Sequence, residues 1–159
     1  MPRKSVKTVK ASQVEMTELV LPNDTNRMGT LLGGRLMHWI DIAAAIAASR
    51  HTNRLCVTAS VDELHFHHPV RQGEVVVLKV SVNRVFNSSM EVGVRVIKEN
   101  TLTGERKHTN TAYLTFVAIG DEGTPVSADP IIPVTSDEKR RYRDAARRRQ
   151  TRLAHRQRG

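Results

Sequence analysis

Residues 21–51 read LPNDTNRMGTLLGGRLMHWIDIAAAIAASRH. The stretch opens on turn formers, Pro22, Asn23, Asp24, Asn26 and Gly29, passes through the pair Gly33-Gly34, and then becomes a strongly helical run. Leu36, Ile40, Ala43, Ala44 and Ala47 recur at helical spacing on one face. Neighbouring positions are apolar too, so this helix is expected to be covered on most sides, its alanines letting other backbones come close. Asp41 breaks the pattern. A carboxylate withdrawn from water costs several kcal/mol unless it is paired, hydrogen-bonded or protonated. The plain reading sets Asp41 on a narrow exposed edge near His38. The functional reading joins it to Gly33-Gly34, where unpaired N–H groups and the positive end of the helix dipole can receive developing negative charge, and to Asn26 in the loop before.

On both sides of this helix the pattern is β. Residues 13–21 alternate, with Val14 and Met16 against Glu15 and Thr17, and read as a first strand. After the helix, 55–67 alternate up to Pro69, and 74–85 place Val76, Leu78, Val80 and Val82 on one face with Val75 and Val77 on the other. Residues 90–98 bring Val92, Val94 and Val96 into register, and 107–119 alternate Ala112, Leu114, Phe116 and Ala118 with Tyr113, Thr115 and Val117. One long apolar helix followed by strands on short turns predicts an α+β domain, an antiparallel sheet wrapped around that helix. Its open edges would be closed by pairing with a second copy.

The formal charge of +9 over 159 residues suggests nucleic acid until it is divided along the chain. Residues 1–10 carry a net +4, residues 138–159 a net +8, and the remainder a net −3. The basicity lives in the tails. Residues 1–11 read as a disordered basic tail. Residues 134–159 read as a basic helix starting near Ser136 or as a disordered arm, and are taken as a solubilising tail, with nucleic acid disfavoured because aromatic interleaving is limited to Tyr142. The one cysteine, Cys56, leaves no internal disulfide. With no charged-then-apolar leader, a cytoplasmic location is the expectation. The longest apolar run is broken by His38 and Asp41 and is too short to span a bilayer.

The segment DTNRMGTLLGGRLMHWIDIAAA resembles the signature of hotdog-fold acyl-CoA thioesterases, the group of brain acyl-CoA hydrolase and its short bacterial counterparts. Asn26, Gly29, Gly33, Gly34 and Asp41 carry the match, with Trp39-Ile40 before the acid. SVDELHFHHPVRQGE at 60–74 and NRVFNSSMEVGVRV at 83–96 continue it in order. The resemblance implies a single hotdog domain over 12–133, two of whose sheets join into one continuous sheet with both helices on the same side. It further implies a homo-oligomer, a dimer at minimum and a trimer of dimers (a homohexamer) at full assembly.

The reaction so implied is hydrolysis of a fatty acyl-CoA to fatty acid and coenzyme A, in lipid metabolism. Water attack on a thioester needs a base and oxyanion donors and no cofactor. Asp41 is the expected general base, or else a nucleophile. Gly34, with Gly33, is the expected oxyanion donor, and Asn26 is to hold the water or the thioester. In the resembling family the asparagine and the aspartate of one site come from different subunits. Arg84, Ser88 and Ser89 match the family's coenzyme A stretch, and Arg71, Lys98, Arg106 and Lys107 are candidates for the nucleotide phosphates. His65, His67 and His68 invite a zinc reading, which is set aside because no third ligand cluster and no cysteine lie near. Two rivals remain, a non-catalytic acyl-CoA-binding hotdog sensor and a hotdog hydratase or dehydratase.

Overall fold

In the computed structural model, residues 6–158 are described. In chain order the elements are β1 (Lys7–Thr8), α1 (Val9–Ser12), β2 (Val14–Leu19), a 3-10 turn at Pro22–Asp24, α2 (Gly33–Thr52), β3 (Leu55–Val61), β4 (Val75–Val85), β5 (Ser89–Glu99), β6 (Arg106–Ile119), β7 (Ile131–Ile132) and α3 (Ser136–Arg158). Five strands form one sheet in the order β2-β4-β5-β6-β3, every neighbouring pair antiparallel. The sheet curls around α2, the hotdog arrangement that the sequence implies.

The core lies between α2 and the inner face of the sheet. Leu36, Ile40, Ala43, Ala44 and Ala47 are all buried, as helical spacing predicts, and they meet Val76, Leu78, Val80 and Val82 of β4, Met90, Val92, Val94 and Val96 of β5, and Ala112, Leu114, Phe116 and Ala118 of β6. Burial of a large aliphatic side chain stabilises by about 1.5–3 kcal/mol, so this face dominates the fold. The helix ends at Asn53 in the left-handed region (φ 52°), a conformation asparagine tolerates.

Coverage of α2 differs from the expectation. One stripe stays open: His38 and Arg50 are exposed, and Ile42 and Ile46 are 39% and 38% exposed. Beside it runs β3, an edge strand whose Val57 and Val61 are also exposed. In a single chain, then, an apolar strip follows the free edge of the sheet.

The ends of the chain are more ordered than their composition suggests. Residues 1–5 and 159, at the tips of the two expected tails, lie outside the described residues. Residues 7–11, read as part of a disordered tail, instead pair β1 with β7 and, with Ser12, form α1. Ser12, fully buried, donates its hydroxyl to the Val9 carbonyl (2.7 Å) and accepts the Val82 N–H (3.0 Å). Lys7 Nζ donates to the Arg50 carbonyl at the end of α2 (2.9 Å). Lys7 and Ser12 thus tie this segment to the domain.

Helix α3 starts on a capping box. Thr135 Oγ1 accepts the Glu138 N–H (3.1 Å), and the Glu138 carboxylate accepts the Thr135 N–H (3.4 Å) and, more closely, the Val134 N–H (2.9 Å). The helix packs against the outer face of the sheet and is anchored by its arginines. Arg148 reaches both carboxylate oxygens of Glu91 (2.7 and 2.9 Å), and its guanidinium lies 3.7 Å from the centre of the Tyr113 ring. Cationic side chains read as solvating a tail are therefore docking groups.

Candidate active site

The loop before α2 is locked by its own polar side chains. Asp24, buried, accepts the Leu21 N–H (2.9 Å) and pairs with Arg35 (3.2 Å). Asn26 Oδ1 accepts the Met28 and Thr30 N–H groups (2.9 and 3.2 Å), and its Nδ2 donates to Thr30 Oγ1 (2.9 Å). Asn26 thus does the work of an Asx-turn residue, with Gly29 at φ +76° closing the turn. A second hydrogen of its amide stays available to a ligand.

This turn delivers the chain to Gly33, the first residue of α2. The helix has no side-chain N-cap, and among the described residues the N–H groups of Gly33 and Gly34 meet no acceptor. Leu32 instead accepts from Arg35 and Leu36 (both 3.1 Å). A Cβ at Gly33 would stand 3.4 Å from the Phe66 ring, whereas one at Gly34 would meet nothing within 4 Å. Gly34 is therefore open toward whatever approaches the helix start. Asn26, Gly33, Leu36, Phe66, His68 and Asn110 line a cleft here of about 240 Å³.

Asp41 lies elsewhere. It is half-buried, not fully buried as expected, and its carboxylate accepts the Thr58 hydroxyl from β3 at 2.6 Å. Among the described residues no hydrogen bond joins it to His38. Thr58 is the residue the sequence reading missed. It pairs with Phe116, so it faces inward, and the register slips immediately beyond it, between Thr58 and Ser60. Its hydroxyl two residues after the buried Cys56, on the same side of the strand, was the available signal.

Seven residues of helix separate Gly34 from Asp41, a rise of about 10 Å. Hydrogen bonds from both to a single reacting carbonyl and its water cannot span that. Strand register places the two halves along the sheet. Thr58 sits in the row of Phe116 and Met90, next to the β4–β5 turn, while the cleft lies toward Asn110 and the other end of those strands.

The candidate coenzyme A residues divide the same way. Ser88 and Ser89 occupy the turn near the Asp41 end, and Arg84 just before it is already engaged, 4.0 Å over the Tyr142 ring. Arg71 bridges to Thr30, and Lys98 Nζ reaches the Pro69 carbonyl (3.5 Å), both at the cleft end. Arg106 pairs with Glu99 (3.1 Å). His65 and His67 stack on each other with ring centres 5.5 Å apart, and among the described residues no three His, Cys, Asp or Glu side chains gather as a metal site. Among those residues, too, no helix is long and apolar enough to cross a membrane.

Comparison with known proteins places this geometry. The thioesterase superfamily model matches residues 28–105. The chain is 45% identical to the uncharacterized acyl-CoA thioester hydrolase YkhA of Bacillus subtilis, over 87% of this chain and 81% of that one. It is 43% identical to mouse acyl-coenzyme A thioesterase 11 over 91% of its own length, and spans only 24% of that longer protein. Among solved structures, the acyl-CoA hydrolase of Staphylococcus aureus, in complex with butyryl coenzyme A and coenzyme A, superposes with a TM-score of 0.90 at 35% identity, covering 96% of this chain and 93% of that one. A hexameric acyl-CoA thioesterase superposes at 0.91 with 39% identity, covering 95% and 97%. The Staphylococcus aureus enzyme has also been solved with alanine replacing an asparagine, an aspartate and a threonine. These are spaced 15 and 17 positions apart, as Asn26, Asp41 and Thr58 are here. With the curled sheet around its helix, the open helix start and this sequence identity together, the chain belongs to the thioesterase superfamily.

Proposed function

We propose that this chain is an acyl-CoA thioesterase that hydrolyses a fatty acyl-CoA to the fatty acid and coenzyme A. The observation that carries the reading is the Asp41 carboxylate, aimed by the Thr58 hydroxyl on the open stripe of α2, in a chain whose helix start offers two N–H groups that meet no acceptor among the described residues. Water attacks the thioester carbonyl carbon while Asp41 takes its proton. The carbonyl oxygen gains the charge and receives the N–H of Gly34, with Gly33 beside it. The C–S bond then breaks, and the proton held by Asp41 goes to the departing thiolate.

Because one chain holds these groups about 10 Å apart, the site is completed by a second copy. The exposed strip of Ile42, Ile46, Val57 and Val61 along the free β3 edge is where that copy sits, in keeping with the hexameric relative. Each site then takes Asn26 and Gly34 from one subunit and Asp41 with Thr58 from the other. Arg71 and Lys98 would accompany the cleft, and Ser88 and Ser89 the Asp41 half, so both subunits contact coenzyme A. Arg84 and Arg106 are weaker candidates, being held by Tyr142 and Glu99. We assign the protein a cytoplasmic, homo-oligomeric setting, as a trimer of dimers.

Thiol release from short- to long-chain acyl-CoAs tests the activity. Wild type should turn over, and Asp41→Ala should lose two or more decades, roughly the contribution of a general base. Tight acyl-CoA binding without thiol release would replace the enzyme with a sensor. Mixing inactive Asn26→Ala and Asp41→Ala chains tests the shared site. A statistical mixture is half heterodimer, each with one intact site, so about a quarter of wild-type activity should return. No recovery after subunit exchange would place both residues in one chain's site.

A further inference from the structure

Residues 62–70, between β3 and β4, form no regular element, yet they supply one wall of the cleft: Phe66 against Gly33, then His68, Pro69 and Val70. The loop begins at Asp62. Both oxygens of that carboxylate accept from Arg152 of α3, Nε at 2.7 Å and an Nη at 2.9 Å, while the Asp62 N–H donates to the Tyr113 carbonyl (2.9 Å). The same Arg152 also reaches Glu91, which is fully buried in β5 and shared with Arg148. Beyond Asp62 the loop is held by Asn110 Nδ2 at the His65 carbonyl and by Lys98 at the Pro69 carbonyl, with Val70 accepting the Leu31 N–H (2.7 Å).

We propose that Arg152 is a positioning residue for the cleft. Its two-pronged grip on Asp62 fixes where the loop leaves the sheet and thereby where Phe66 and His68 stand beside the helix start. A planar guanidinium holding a carboxylate through two parallel bonds sets direction as well as distance, which an ammonium does not. Glu91 and Arg148 keep Arg152 from swinging away. Helix α3 thus acts as a strut from the outer face of the sheet to the wall of the cleft on its inner side. Arg152 itself touches no substrate.

The inference rests on the cleft seating the thioester, so its test has an arm independent of turnover. Amide hydrogen exchange and acyl-CoA kinetics are compared for wild type, Asp62→Asn, Arg152→Gln and Arg152→Lys. In Asp62→Asn and Arg152→Gln, amides of residues 63–69 should exchange about tenfold faster or more while those of β4 and β5 keep their protection. kcat/KM should fall about 10- to 100-fold, the usual cost of a reacting geometry displaced by about 1 Å. Arg152→Lys, which keeps the charge and loses the fork, should recover only part of either loss. A lowered melting temperature with loop exchange and kcat/KM both unchanged would overturn the proposal and leave α3 a stabilising element only. If wild type releases no thiol, the thioesterase reading fails, and the exchange arm still decides whether Arg152 holds the loop.

Discussion

Two helices of similar length, 20 and 23 residues, lie on opposite faces of one sheet and are held there by opposite chemistry. Helix α2 is apolar and packs through alanines and branched side chains against the inner face, where area removed from water supplies the stability. Helix α3 is strongly basic and docks on the outer face through guanidinium groups. Arg148 meets Glu91 and Tyr113, Arg152 meets Asp62 and Glu91, and Arg149 lies 4.5 Å over the Phe86 ring. The first contact is non-directional and tolerates modest change. The second depends on a carboxylate at zero exposure, whose charge is acceptable only because Arg148, Arg152 and Asn83 all donate to it. The outer helix is therefore the more fragile attachment, though it looks the more solvent-tolerant in the sequence.

The largest effect on stability should come from Glu91→Ala. It removes the shared acceptor, leaving Arg148 partly buried with its carboxylate gone and Arg152 held by Asp62 alone. Breaking a buried pair in this way costs about 3–5 kcal/mol. Equilibrium denaturation should show that loss, and proteolysis should cut within α3 first. A loss below about 1 kcal/mol would mean that the outer helix is held by packing, as the inner one is.

On the inner helix the matching experiment is Ala44→Leu, at a position with no exposed surface. Overpacking of a close helix–sheet contact typically costs about 1–3 kcal/mol. Ala44→Gly should cost only about 1 kcal/mol, chiefly backbone entropy. If leucine were accepted without loss, the alanine run would not be setting the distance between α2 and the sheet. Gly93→Ala offers a similar probe beneath α3, since the new Cβ would stand 2.7 Å from the Asn83 amide. It should disturb the Asn83–Glu91 bond while leaving α2 intact.

The same comparison explains what could be read from residues alone. The face Leu36, Ile40, Ala43, Ala44 and Ala47 and the alternations in β4, β5 and β6 repeat at 3.6 or 2 residues, so local periodicity reports their burial directly. Glu91 falls on the outward set of β5, between Met90 and Val92, where alternation predicts solvent; only α3, nearly sixty residues on, makes that position interior. Arg148 and Arg152 likewise read as a solvated run because nothing local marks their partners. Residues 7–11 were misread for the same reason, since they and Ser12 are anchored by Arg50, β7 and Val82, all distant in sequence. Within the candidate site, Asn26, Gly33, Gly34 and Asp41 were visible through their joint order. Thr58 was not, because its role depends on register and on the helix packed across from it.

Acidification should separate the two faces once more, by smaller steps. At the inner side, His51 near the end of α2 is 2% exposed; its Nε2 bonds the Asp129 carbonyl at 2.7 Å, and its Nδ1 has no partner among the described residues. Burial pushes its pKa below the ordinary 6.5, only partly offset by the Asp129 carbonyl. The unfolded chain therefore takes up this proton first, and stability begins to fall as pH drops below about 6.5. At the outer side, burial raises the Glu91 pKa, but hydrogen bonds from Arg148, Asn83 and Arg152 outweigh it and hold the group below its ordinary 4.5. Its contribution is intact above that value and is lost as pH falls further, toward the folded-state pKa. Denaturation midpoints measured from pH 8 to pH 3 should thus decline in two stages, and His51→Gln should remove the first while leaving the second. A decline that begins only below pH 5 in wild type would mean that His51 carries its charge inside the fold, with Nδ1 bonded to a group other than protein.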